Sequence, residues 1–498
     1  MRNRGVFSAV TILALGSIIG TVILFVLQLV SFSRLWAYYP ARLTIAGVAV
    51  GGLDRQQAAE RLLSVYSLPV EMHYGAAAIQ LAPSTIGFEL DIEAMLAAAE
   101  QERVRTPFWV AFWDYLWQRE PPAADIPLRS TYSEDRLRAY LTNEIAIRYD
   151  QPATPAIPQS GTVNFQAGKP GLSLDVERSI FPIENALQSP LARIVELPIQ
   201  RASAPRPPFE NLSILLRQTV ELSGFDGVVG VYLMDLQSGQ ETSFIYNQLI
   251  PVSTPPDVAF TASSTIKLPV MVSLFRRLPE EPSAEVSAKL HEMIAKSINP
   301  STDWLMQNIL DTGKGPLMVT QDLKSLGLDN TFLAGYFYDG APLLQRFVTI
   351  ANQRPDVNTD LDPYNQTTPT EIGMLLTDVY LCAKNGGGSL IAAFPNEITP
   401  AKCQTMINYL AEDKIGVLIQ YGVPDGTRVA HKHGWVADAY YVPHNISDAA
   451  IVYTPGGDFV LTVYLYHPAQ IVFEPANELI GGLARAAYNF YNLPPEGQ

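Results

Sequence analysis

Ser264-Thr265-Ile266-Lys267 is the one S-x-x-K in the chain, and it sets a hydroxyl three residues ahead of an amine. On a helix, positions i and i+3 share a face, so the Lys267 amine can stand beside the Ser264 hydroxyl. A serine attacks a carbonyl only once a neighbouring base takes its proton. A lysine fills that role when burial or nearby cations lower its pKa, a change this side chain undergoes readily. Two later segments supply further parts. Ser297-Ile298-Asn299 brings a second hydroxyl and a side-chain amide, and Lys432-His433-Gly434 brings a cation and a residue without a side chain. The chemistry this set suits is acyl transfer through an acyl-serine.

The elements that must position these residues are legible around them. Leu212 to Leu222 has helical periodicity. Gly227 to Leu236 and Glu241 to Tyr246 read as two strands joined at Gln237-Ser-Gly-Gln, a hairpin signal. Ser264 opens a helix running to about Arg277. Thr368-Pro-Thr-Glu reads as a capping box opening another. Val429–Gly434, Ala449–Thr454 and Phe459–Tyr466 read as strands, and Leu479–Tyr491 closes as an amphipathic helix. Strands at both ends with helices between predict an α+β layer fold.

The chain has 498 residues, too many for one ordinary domain. Hydrophobic residues make up 48% and aromatics 10%, which suits packed cores rather than disorder. A formal charge of −15, with no basic run beyond isolated pairs such as Arg276-Arg277, argues against nucleic acid as a partner, because phosphate binding needs clustered Lys and Arg. Gly5 to Val30 runs uncharged for longer than the roughly 20 residues a spanning helix needs. Arg2 and Arg4 precede it, and no small-x-small cleavage site follows before Trp36. The expectation is an uncleaved, single-pass signal anchor over residues 1–35, with the rest of the chain outside the membrane; a cleaved signal peptide is the competing reading. Ala202 to Pro208 (ASAPRPP) is a semi-rigid linker by composition. The domains expected are therefore 36–204 and 211–498, with a Pro-rich linker at 205–210.

The stretch 36–204 mixes short strands with helices, such as the one opening at Asp54. Through "LTIAGVAVGGLDRQQAAERL", "LAPSTIGFELD" and "FQAGKPGLSLDVERS" it resembles the peptidoglycan-binding domain found beside extracellular cell-wall enzymes. No residue in it suggests chemistry, and a spacer lifting the next domain off the membrane is the competing reading.

With its three motifs in order, the region 211–498 resembles the class A β-lactamase family, within the β-lactamase and penicillin-binding serine hydrolases. The resemblance implies a β-lactamase/D,D-peptidase-like fold: an antiparallel sheet flanked by helices, plus a helical subdomain. It makes Ser264 the acylated nucleophile and Lys267 its proton acceptor or relay. Ser297 would shuttle a proton to the leaving nitrogen, and Asn299 would hydrogen-bond the substrate's amide side chain. Lys432 adds positive charge opposite the nucleophile, and Gly434 lets strand backbone approach the substrate. The Trp435 N–H would join that of Ser264 in an oxyanion hole. No metal or organic cofactor is implied. Cys382 and Cys403 lack metal-ligand spacing, and a disulfide or two buried thiols both remain open.

The departures are as informative. Ile298 stands where the family has Asp. His433 replaces the hydroxyl residue that holds the substrate carboxylate, and Arg428 is a candidate substitute partner, against a solvated strand end. The loop expected at Leu343 to Gln366 contains no glutamate to activate the deacylating water, only Asp356, Asp360 and Asp362. The expected activity is β-lactam amide hydrolysis through an acyl-enzyme. The alternatives are a D,D-peptidase acting on D-Ala-D-Ala-type cell-wall peptides and a catalytically weak wall-binding scaffold.

Overall fold

The computed structural model describes residues 4–248, 250–255 and 257–493; Arg2 lies outside the described residues. The chain divides into two units, Met1–Thr154 with Pro170–Ser203, and Pro155–Lys169 with Ala204–Gln498.

In the first unit a helix runs from Arg4 to Leu35. Its stretch Val10–Leu35 has a mean hydropathy of 2.6 and is long and apolar enough to cross a membrane. The helix Arg55–Tyr66 starts where Asp54 accepts from the Gln57 backbone N–H and the Gln57 side chain accepts from that of Asp54, a closed capping box. Its period turns Ala58, Leu62 and Tyr66 inward. They meet the strand Val70–Tyr74, whose Val70, Met72 and Tyr74 alternate into the same core. That strand pairs antiparallel with Ala77–Leu81 and parallel with Ile194–Glu196.

The second unit is built on a five-stranded antiparallel sheet. Its order is Glu241–Asn247, Val228–Asp235, Phe459–Tyr466, Pro443–Tyr453 and Arg428–Ala437. Alternation sorts the strand side chains. Val229, Val231 and Leu233 face the helices Phe209–Ser223 and Phe473–Tyr491. Val228 and Tyr232 join the core of the helical layer on the other face. At the centre of that layer lies the helix Lys267–Arg277, nine of whose residues are buried. The helices Ala284–Ile294, Gly315–Ser325, Pro369–Asn385 and Pro400–Leu410 contribute to the same core. Cys382 and Cys403 form a disulfide joining the last two, with Cα atoms 6.0 Å apart. The structure is thus α+β, as the strand and helix order predicts.

Three expectations need correction. Residues 155–169, placed by sequence in the first domain, pack with the second unit: Phe165 meets Phe490 at 5.9 Å and shares a core with Leu212 and Leu216. Apolar contacts distant in sequence carry that choice, and local composition gives no sign of them. The helix expected from Ser264 begins instead with a 3-10 turn, Ser263–Ile266, before the α-helix takes over at Lys267. Thr368 caps its helix by accepting from the Glu371 N–H at 3.2 Å, but the box stays open. The Glu371 carboxylate instead accepts from the Asn330 backbone and side chain and from Thr331.

Candidate active site

The 3-10 turn decides how Ser264 meets Lys267. With three residues per turn, positions i and i+3 eclipse. The Lys267 Nζ accordingly lies 3.1 Å from Ser264 Oγ. The turn is entered through Ser263 at φ 53°, a left-handed conformation that costs a non-glycine residue energy and clusters at functional sites. Thr265 braces it by donating to the Ala262 carbonyl at 2.6 Å and meeting the Tyr464 hydroxyl at 2.7 Å.

A second left-handed serine, Ser297 at φ 57°, lies between the helices Ala284–Ile294 and Asn299–Leu305. It presents both its carbonyl and its hydroxyl to the Lys267 amine, at 2.7 and 3.1 Å. Asn299 Oδ1 is the fourth contact, at 2.8 Å. A neutral amine has two N–H groups and one lone pair. The Ser297 carbonyl and Asn299 Oδ1 can only accept, so they take the two N–H groups. The lone pair is left for a hydroxyl proton, from Ser264 or Ser297. The same arrangement can therefore relay a proton from one serine to the other.

Electrostatics favour that neutral amine. Lys267 is fully buried. Burial, then the charge of Lys432, push its pKa down to about 7, while Asp303 pulls the other way. Asp303 follows Asn299 by four residues on one helix face. Its carboxylate accepts from the Phe337 N–H at 2.9 and 3.1 Å, and burial raises its pKa against that bond. The Phe337 ring covers the amine at 5.5 Å. A cleft of about 540 Å³ opens beside Asn299 and Asp303, lined also by Trp304, Phe337 and Tyr338.

The edge strand Arg428–Ala437 forms the opposite wall. A Cβ on Gly434 would stand 2.7 Å from the Ser264 nitrogen and 3.0 Å from Ser263 Cβ, so only glycine permits this approach. Lys432 is fully buried, and burial lowers its pKa against the pull of Asp413. Its amine donates to Asp413 at 3.4 Å and to the His433 carbonyl at 3.2 Å. Asp413 Oδ2 also meets His433 Nδ1 at 2.8 Å. The His433 ring stacks on the half-exposed Trp435 at 4.8 Å.

Behind them His431 meets the Asp413 carbonyl through Nε2 at 2.7 Å and both Asp448 oxygens through Nδ1 at 3.0 and 3.1 Å. All three partners are acceptors, so both ring nitrogens carry protons. Burial presses this imidazole's pKa down, but the Asp448 and Asp413 contacts outweigh it and the net shift is upward. His431 is thus a buried imidazolium that fixes the loop bearing Asp413.

The structure brings Ser264, Lys267, Ser297 and Asn299 onto one amine and sets Lys432, His433, Gly434 and Trp435 along the wall beside them. It does not bring Arg428. This residue starts the strand six positions before Gly434, about 20 Å away at the usual strand rise. Its guanidinium donates to Asn408 and covers the Tyr453 ring, so the solvated strand end is the correct reading. Two of the three loop aspartates are bonded within the loop. Asp356 pairs with Arg354, Asp360 is exposed, and Asp362 accepts from the Tyr364 N–H and the Asn365 side chain, both at 2.8 Å. Sequence reasoning missed Asp303, Asp413, His431 and Asp448. The i+4 spacing from Asn299 could have pointed to Asp303, and the H-K-H run to His431. Nothing local marks Asp413 or Asp448. Among the described residues no group of three or more His, Cys, Asp or Glu side chains could hold a metal ion.

Comparison with known proteins bears on this geometry. Residues 282–491 match the model of the beta-lactamase enzyme family, and residues 79–194 match the one described as "Putative peptidoglycan binding domain". The beta-lactamase-family match thus falls within the second unit and covers part of it. The matched stretch holds Ser297, Asn299 and Lys432, whereas Ser264 and Lys267 precede it. No curated protein sequence matches the chain. Among solved structures, PBP-A is 19% identical at a TM-score of 0.40, covering 58% of this chain and 98% of its own. A beta-lactamase from Sphaerobacter thermophilus is 18% identical at 0.40, covering 58% and 100%. One from Xanthomonas campestris pv. campestris is 17% identical at 0.40, covering 56% and 98%. Such likenesses are too weak to assign an activity. The family supports serine hydrolase chemistry in this domain.

Proposed function

We propose that this chain is a membrane-anchored, extracytoplasmic serine hydrolase whose Ser264 is acylated by β-lactam amide bonds and by D-Ala-D-Ala-type cell-wall peptides. The single observation that supports acylation most is the saturation of the Lys267 amine by two carbonyl acceptors, which leaves its lone pair to a serine proton. In this reading Lys267 takes the Ser264 proton, Ser297 passes it to the leaving nitrogen, and Lys432 holds positive charge at that end of the cleft. The Ser264 and Trp435 N–H groups receive the developing oxyanion, donors worth about 10²–10³ in rate each. Asn299 and His433 contact the substrate.

The second step favours the peptidase side of this reading. The 343–366 loop carries no glutamate, its Asp356 pairs with Arg354, and its Asp362 accepts from Tyr364 and Asn365, an arrangement that argues against an efficient deacylating base there. Acylation then outpaces release, a profile of penicillin-binding enzymes rather than of efficient lactamases. The peptidoglycan-binding-type domain and the apolar N-terminal helix suit an enzyme kept at the wall. Turnover of a penicillin and of a D-Ala-D-Ala peptide, each beside Ser264→Ala, tests the proposal. Slow penicillin release with peptide turnover fits it. Rapid penicillin hydrolysis makes the protein a lactamase, and inertness toward both makes it a scaffold.

A further inference from the structure

The first unit carries an aromatic helix that the functional reading leaves unused. Phe108–Leu116 (FWVAFWDYL) follows Thr106-Pro107 and turns one face to the N-terminal helix. Phe108 meets Phe32 and Trp36 at 5.3 and 5.4 Å. Phe112, fully buried, meets Phe32 at 5.5 Å and Phe25 at 5.3 Å. Tyr115 donates to Gln28 Oε1 at 3.1 Å. Phe32 also meets Tyr115 at 5.2 Å, so one residue of the long helix touches Phe108, Phe112 and Tyr115 and the two helices cross there. The contacts span Trp36 to Phe25, about 16 Å of helix at the usual rise.

The opposite face bears Trp109, Trp113 and Trp117, at i, i+4 and i+8, exposed by 57, 53 and 71%. Beside them Val110 is 51% exposed. A surface of three tryptophans in water is costly, and it needs a partner. The N-terminal helix identifies one. Its apolar stretch ends at Leu35, so a helix that reaches back to Phe25 enters the outer part of whatever that stretch crosses. Indole rings, with an apolar body and a polar N–H, collect at that depth of a bilayer. Two polar groups at this depth, Gln28 and Tyr115, bond to each other, as a lipid environment favours, and the arm's Asp114 pairs with Arg119 at 3.4 Å.

We propose that Phe108–Leu116 is a membrane-embedded arm. It lies against the outer end of the anchor and sets Trp109, Trp113 and Trp117 into the interfacial layer of the outer leaflet. The anchor and arm then hold the lipid together, restricting the tilt and rotation a lone spanning helix would have. The proposal rests on the anchoring reading, and the experiment separates the two. The full-length chain is reconstituted into phosphatidylcholine vesicles with or without brominated acyl chains, which quench indole fluorescence on contact. The chain has six tryptophans. It is measured unmodified and as Trp36→Phe/Trp304→Phe/Trp435→Phe, in which only the arm's three remain. The proposal expects the arm-only variant to lose more than half its emission in brominated vesicles and the unmodified chain to be quenched in parallel. Equal emission of the arm-only variant in both vesicle types overturns it. An alkaline carbonate wash reads the anchor separately. A chain that stays with the vesicles but is not quenched refutes the arm alone. A chain that washes out unquenched refutes both, and one quenched before it washes out retains the arm and refutes the anchor.

Discussion

Gly434→Ala tests the wall of the site most sharply. The added methyl would lie 2.7 Å from the Ser264 nitrogen, 3.0 Å from Ser263 Cβ and 3.2 Å from Ser447 Oγ. Ordinary contact begins near 3.4 Å, so the strand and the nucleophile turn must separate by about 0.7 Å. Neither side yields easily. The strand is laddered to Pro443–Tyr453, and the turn is held by Thr265 through Ala262 and Tyr464. Overpacking of this kind costs about 1–3 kcal/mol of stability. The kinetic cost is larger, because a misplacement of about 1 Å is worth about 10²-fold and a lost oxyanion donor 10²–10³. Acylation of Ser264 by a penicillin, followed by intact mass, should slow by at least about 10²-fold while the protein stays folded. Gly482→Ala is the control. Its methyl meets only Thr219 Cγ2 at 3.4 Å, inside the helix Phe473–Tyr491. It should add about 0.5–1 kcal/mol and leave acylation unchanged. Acylation of Gly434→Ala within threefold of the parent would refute the close approach as the reason for this glycine.

Three further outcomes follow from the charges and the disulfide. With the Lys267 pKa near 7, the neutral amine rises from about a tenth of the population at pH 6 to about nine-tenths at pH 8, and acylation should rise with it. Asp303→Asn removes the charge that supports protonation, so the midpoint of that rate profile should fall; an unmoved or raised midpoint contradicts the coupling. The same shift has a signature in stability. The unfolded chain binds the Lys267 proton up to about pH 10.5 and the folded chain only to about 7, so the penalty of burying this amine is full below pH 7 and fades as pH rises. Lys267→Met should therefore abolish acylation and raise the melting temperature more at pH 6 than at pH 9; a pH-independent difference counts against the assigned shift. Reduction of the Cys382–Cys403 disulfide, or Cys382→Ser/Cys403→Ser, opens a loop 21 residues apart in sequence and should cost about 3 kcal/mol in denaturant unfolding. A loss under about 1 kcal/mol would show that the two helices hold their register without it.

How much of this was legible in the sequence depends on range. The strands of the main sheet carry runs of β-branched and aromatic residues, and the hairpin at Gln237-Ser-Gly-Gln announces its own turn, so both are legible, although the strand expected from Ala449 opens at Pro443. Ser264 and Lys267 were found because their i, i+3 spacing maps onto local geometry, and Ser297 and Asn299 because the three motifs in order resemble a known family. The left-handed backbone at Ser263 and Ser297 was not, since neither residue is of a type that advertises positive φ. Asp413 comes from the loop after Pro400–Leu410 and Asp448 from the neighbouring strand, contacts that tertiary packing alone creates. Of the two readings open for Arg428, the solvated strand end holds, because six strand positions put it about 20 Å from Gly434. The hairpin at 157–166 was assigned to the wrong unit for the same long-range reason.

The central claim is that Ser264 becomes covalently acylated. The most direct test is the intact mass of the chain after mixing with a penicillin, followed in time beside Ser264→Ala. A mass increase equal to one penicillin, on the parent only and persisting long after the free drug is removed, is the result expected. No adduct at any time, or an equal adduct on Ser264→Ala, would contradict it.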